Sequence, residues 1–116
     1  MLKEYHSQTS KKIIVKEKGK ISQIDVANIT HFLCDNYVTT VYLKNISNKY
    51  TTSKSLIDIE SHLKDYEFFR INRSCIVNLQ NVLSLISCSR TVILYGDIKL
   101  PVSRRNFVEL KKHLVF

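Results

Sequence analysis

The sequence is short of the residues on which most chemistry depends. Its 116 residues include two glycines, one proline, one methionine and no tryptophan. Gly19 and Gly96 stand far apart, which excludes a phosphate-cradling glycine loop, a dinucleotide fingerprint and a G-x-S-x-G nucleophile elbow. So little Gly and Pro also excludes a flexible low-complexity chain. The three cysteines, Cys34, Cys75 and Cys88, are odd in number and widely spaced, with no C-x-x-C. A disulfide framework or a zinc site is therefore not expected, and reduced thiols in a cytoplasmic setting are the default. His6, His31, His62 and His113 are scattered and form no H-E-x-x-H, so no metal is expected. Apolar runs end after a few residues, as at 92–95, far below the ~20 that a membrane helix needs. The opening MLKEYHSQTSKK has no apolar core and does not read as a secretory signal.

Catalytic pairs are missing as well. Asp58 and Glu60 lie two apart on an expected helix and face apart, which leaves a solvated acidic face. Cys75 lies between basic residues that could lower its thiol pKa, although a small buried apolar residue is the commoner fate of a free cysteine. No enzyme and no cofactor are expected.

What the chain has in excess is positive charge, a formal net +8. The hydrophobic share of 44% is that of an ordinary globular domain, and the length allows one domain. The charge is uneven: net +4 over 1–20, −2 over 21–69 and +6 over 70–116. All five arginines (Arg70, Arg73, Arg90, Arg104, Arg105) fall in the last third. The planar guanidinium fork grips phosphate and pairs bidentately with guanine, so this third is expected to face a polyanion. The Lys-rich start reads as diffuse attraction or linker solubility, apart from any reading surface.

Strand signals dominate the rest. Residues 1–11 read as a polar linker or frayed end. Ile13 to Val15 starts a strand, Lys18-Gly19-Lys20 turns it, and Ile21, Ile24 and Val26 complete a hairpin. Further strands are expected over 29–33, 37–43, 50–52, 68–71, 82–86, 91–95 and 98–100, with turns at Asp35-Asn36, 45–48, 87–90 and Gly96-Asp97. Leu56, Ile57, Ile59 and Leu63 have helical spacing after Ser55, whose partner Asp58 three residues on resembles a capping box. Pro101 marks a strand end or edge. Ser103 then caps a helix from 104 to about 113, with Phe107, Leu110 and Leu114 inward. Eight to ten short strands joined by tight turns favour antiparallel sheets, and no internal repeat stands out.

Two segments are specific. The run FFRINRSCIVNLQNV, with Phe69, Arg70, Asn72, Arg73, Ser74, Ile76, Val77 and Asn78, is followed about twenty residues later by LPVSRRNF, with Leu100, Pro101, Ser103, Arg104 and Arg105. In this order and spacing the chain resembles the LytTR DNA-binding domain, the output domain of LytR/AlgR/AgrA-type bacterial response regulators. Asp35-Asn36-Tyr37-Val38 looks like that family's turn before a strand. The departures are Asn72 where the family usually has His, and Cys75 where an aromatic is common. The likeness runs from about Ile13 to Leu114.

The resemblance implies a mainly β fold: an elongated β-β-β sandwich of short antiparallel sheets, with one small helix between and a short C-terminal helix. The domain itself is expected over 12–116. The resemblance also implies sequence-specific binding of double-stranded DNA by loops that enter successive major grooves, in a cytoplasmic bacterial transcription regulator. The loops carried over are Asp35-Asn36-Tyr37, Asn72-Arg73-Ser74 and 103–106. Arg105 and Arg73 are the leading base-contact candidates, with Asn36 and Tyr37 in the third loop, although Tyr37 could instead begin a strand. Ser74, Ser103, Arg104, Asn106 and Asn72 suit the DNA backbone, and Arg90 and Lys99 add attraction. Ser103 can cap a helix and serve a phosphate together. Arg70 ranks as structural, on a side that strand alternation does not settle. Paired direct repeats bound by a dimer are expected, with a receiver domain either missing from this chain or never part of it. The competing reading is a basic docking module for a membrane surface or an acidic protein. RNA binding ranks third, because no exposed run of stacking aromatics is present.

Overall fold

The computed structural model describes residues 11–45 and 47–114; the expected linker, save Lys11, lies outside them. Ten strands, two α-helices and two 3-10 turns follow in order. A hairpin pairs β1 (Lys12–Glu17) with β2 (Lys20–Asp25). The central sheet has the order β5-β4-β3-β7-β6, formed by β3 (Ile29–Asp35), β4 (Val38–Leu43), β5 (Lys49–Thr52), β6 (Phe68–Asn72) and β7 (Cys75–Asn78). A third sheet holds β8 (Val82–Ile86), β9 (Thr91–Leu94) and β10 (Ile98–Pro101) in the order β10-β9-β8. All pairings are antiparallel, as the tight turns lead one to expect. Helix α1 (Leu56–His62) follows β5, and α2 (Arg104–Leu114) closes the described chain. No helix among the described residues is long and apolar enough to cross a membrane.

The central sheet divides two cores. On one side Val15, Ile24, Phe32, Val41, Leu56, Ile59 and Leu63 join the hairpin and α1 to the sheet. On the other, Ile71, Val77, Val92, Leu94, Phe107 and Leu110 join the third sheet and α2 to it. Strand β7 shows the division in miniature: Ile76 faces the first core, Cys75 and Val77 the second, and all four of its residues are buried. A strand covered on both faces reads as a continuous apolar run, which explains why C-I-V shows no alternation. The result is the β-β-β sandwich that the resemblance implies.

Three local details differ from the sequence reading. Val26 ends no strand; it opens a 3-10 turn (Val26–Asn28) capped by Asp25, whose Oδ1 accepts the N–H of Ala27 at 3.2 Å. A second 3-10 turn (Leu79–Asn81) is capped in the same way by Asn78, whose Oδ1 accepts from Gln80 at 3.0 Å. The two runs, I-D-V-A-N-I at 24–29 and V-N-L-Q-N-V at 77–82, are thus a short internal repeat that the sequence hides. The second copy supports the first: Asn78 Nδ2 donates to the carbonyls of Val26 (3.1 Å) and Ile29 (2.9 Å), and Asn81 Nδ2 donates to Ile29 at 2.7 Å. Tyr37, finally, does not begin β4. It sits in the turn, with φ +68.

Candidate nucleic-acid interface

Hairpin geometry gathers the candidate loops. Asp35 pairs with Val38, so Asn36 and Tyr37 form a two-residue connection with φ of +50 and +68. This is the positive-φ pattern of a type I′ hairpin, whose twist matches that of its strands. Asn tolerates such a φ, whereas a bulky aromatic there is strained by about 1–3 kcal/mol. Tyr37 gains no burial in return, because it is 93% exposed.

The β3–β4 turn stands beside the β6–β7 turn, because the N–H of Cys34 donates to the carbonyl of Ser74 at 2.8 Å. A cleft of about 230 Å³ lies between them, lined by Tyr37, Ser55, Arg70 and Arg73 among others. Ser55 also caps α1, accepting the N–H of Asp58 at 3.2 Å. The β6–β7 turn in turn stands beside the entry to α2. Asn72 Nδ2 donates to the carbonyl of Pro101 at 2.8 Å, while its Oδ1 accepts the N–H and the hydroxyl of Ser74 at 2.8 and 3.2 Å. The N–H of Ser103 donates to Ile71 at 2.9 Å, and that of Val102 to Arg90 at 2.9 Å. The three candidate loops and the 87–90 turn therefore share one edge of the molecule.

Within this row the candidates differ. Arg73, Arg104 and Arg105 are exposed, the last two in the first turn of α2. Ser103 caps that helix, its Oγ accepting the N–H of Asn106 at 3.3 Å, and Asn106 is half-buried. Asn72 and Ser74 are half-buried and engaged with each other. The side chain of Asn72 thus serves chiefly to brace two loops. Arg90 is half-buried at φ +50, its Nε without a hydrogen-bond partner among the described residues. Lys99 is exposed on β10, across from Ile93.

Arg70 turns toward α1, where its Nη1 meets Glu60 Oε1 at 2.9 Å. Its Nε donates to the carbonyl of Asn72 at 3.1 Å, and its Nη2 to that of Arg73 at 2.7 Å. It buttresses the loop that carries Arg73. The idea that basic neighbours lower the Cys75 thiol pKa is corrected: burial pushes it up to about 12, which leaves a protonated core thiol. His31, buried on central strand β3, stacks on Tyr42 at 4.5 Å and shares a 2.9 Å contact with the Thr30 hydroxyl. Burial lowers its pKa to about 4.

The Lys-rich start also returns to this edge. Glu17 Oε2 accepts the N–H of Thr51 at 2.7 Å and its hydroxyl at 3.1 Å, fastening the β1–β2 hairpin to edge strand β5. Lys16, Lys18 and Lys20 come to line a cleft with Val38, the neighbour of Tyr37. Nothing in local spacing signals this contact between residues 34 positions apart.

A layered β domain with a braced row of polar loops along one edge, two of them carrying arginines, has the form of a binding module for an extended anionic surface. The family model of the LytTr DNA-binding domain matches residues 19–115, and the chain belongs to that family. It is 32% identical over 107 residues to the heme-containing CO-sensing transcriptional regulator RcoM 1 of Paraburkholderia xenovorans, covering 89% of this chain and 39% of that protein. It is 35% identical over 77 residues to the sensory transduction protein LytT of Bacillus subtilis, covering 64% of this chain and 32% of that protein. The chain thus spans about two fifths or less of these relatives. A solved LytTr DNA-binding domain from Bacillus cereus shares the fold with a TM-score of 0.75 at 22% identity, covering 90% of this chain and 97% of that one.

Proposed function

We propose that this domain binds double-stranded DNA in a sequence-specific way and acts as the DNA-reading part of a bacterial transcription regulator. The observation that carries the reading is the bracing of three polar loops into one row by Asn72, Arg70 and the Cys34–Ser74 bond. Each loop offers a donor or fork at its tip. Arg105 and Arg73 read guanine O6 and N7 in the major groove, and Asn36 and Tyr37 contact bases in the adjacent groove segment. Ser103, Arg104, Asn106, Ser74 and Lys99 take phosphate oxygens, which accept most protein–DNA hydrogen bonds. The described residues extend 44 × 42 × 26 Å, enough to follow DNA for one turn of about 34 Å. Strain at exposed Tyr37 supports the same reading, since a costly backbone state without packing gain is a mark of function.

The relatives named as transcriptional and sensory-transduction regulators support a role in a signalling protein; there the domain is the output end and binds as a pair to direct repeats. Selection of bound sequences from a random duplex pool tests the reading. Enrichment of one motif, with log K falling against log salt at a slope near −4 to −5 for about five phosphates, is the expected result. No enrichment, with equal binding to anionic vesicles, replaces it with the docking module.

A further inference from the structure

The three loops leave one cationic feature of the edge unused. Lys16, Lys18 and Lys20 line an open cleft of about 600 Å³ whose far wall is Val38 and Thr51 to Ser53. All three lysines are exposed and none forms an ion pair among the described residues. The one acid in the lining, Glu17, is committed to Thr51. That bond holds the hairpin in place, so the lysines are not free to wander from the edge. The cleft continues the row of loops: Val38 follows Tyr37, and Thr52 pairs with Thr39 on the next strand. The family match begins at residue 19, so Lys16, Glu17 and Lys18 come from chain outside it.

We propose that this cleft seats the sugar–phosphate backbone of the same DNA duplex, beyond the bases read by the Asn36–Tyr37 loop. The proposal rests on the DNA reading above and adds a contact outside the three loops. Lysine suits it: a compact charge on a flexible stem accepts phosphates of any sequence, without the fixed geometry of an arginine fork. The occupant is the flanking backbone because the cleft is continuous with the reading edge and has a charge opposite to phosphate.

The test lengthens the duplex on one side at a time. With the selected motif at one end, the natural chain gains about tenfold in affinity when about 10 bp are added beyond the Asn36–Tyr37 side, and gains little on the other side. The triple variant Lys16→Gln, Lys18→Gln, Lys20→Gln loses that gain, keeps the base preference, and has a salt slope shallower by about 2–3. A matched variant, Lys64→Gln, Lys111→Gln, Lys112→Gln, removes equal charge at the far ends of α1 and α2 and keeps the gain. Base preference without any flank effect overturns the cleft alone, as does equal loss in both triple variants. A natural chain with no base preference overturns the three-loop reading beneath it.

Discussion

The arginine loops and the lysine hairpin stand on the same edge, yet they are held in different ways. Arg73 projects from a turn whose carbonyls are gripped by Arg70 and whose neighbour Asn72 is tied to Pro101. Arg105 starts from a capped helix end docked on Ile71. The hairpin packs on the sheet through Val15 and Ile24, but its turn is tied by one carboxylate only, and Gly19 at its tip has open space around it. The difference follows from what each charge has to do. A bidentate fork discriminates between bases only when its origin is fixed, whereas attraction to phosphate needs only nearness.

The largest expected effect breaks the comparison from the arginine side. The double variant Arg73→Ala, Arg105→Ala should lose about 2–6 kcal/mol on the selected site and most of its base preference, at 1–3 kcal/mol per base contact. Binding to random DNA should fall far less, because the lysines remain; competition titrations against both DNAs measure this. An equal loss on both would make the two arginines phosphate contacts.

Acid acts on the body of the domain through one buried imidazole. His31 is held neutral in the fold with a pKa near 4, against about 6.5 when unfolded. The unfolded chain therefore binds the extra proton between these values, and stability falls as pH drops from 6.5 toward 4, by up to roughly 3 kcal/mol. Denaturant midpoints across this window, compared with those of His31→Phe, should show the slope flatten in the variant.

Asn72→Ala should cost about 0.5–1.5 kcal/mol of stability by removing the bonds to Ser74 N–H and Pro101 O, which water can partly replace. It should also weaken specific binding, while the flank effect of the lysines stays intact. Unchanged specific affinity in a folded variant would show that the brace does not matter for reading. The smallest effect sharpens the comparison at its seam. Tyr37→Gly relieves the positive φ and should leave stability equal or raise it by about 1 kcal/mol or less, while site affinity drops. A loss of stability would place Tyr37 in packing after all.

Much of this was legible because local rules and tertiary needs agree. The strand at 82–86 and the helix opening at Ser103 carry their own signals, and the arginine motifs carry the family. Of the two readings of Tyr37 the loop one holds and the strand one fails: its β propensity points to a strand, whereas the two-residue connection from Asp35 to Val38 demands a turn. The side on which Arg70 lies depends on Glu60, which arrives from another element. Hydrogen bonds from side chains to distant backbone groups form the lysine cleft and pair the two 3-10 turns, and no local pattern shows them.

That pairing has a consequence in time. Asn78 and Asn81 complete carbonyls that left the ribosome 49 to 54 residues earlier. At about 5–20 residues per second, synthesis leaves the early turn waiting for roughly 3–10 s. Closing such sequence-distant contacts makes folding slow and late. The nascent front half must therefore be kept from stray strand pairing until its asparagines arrive.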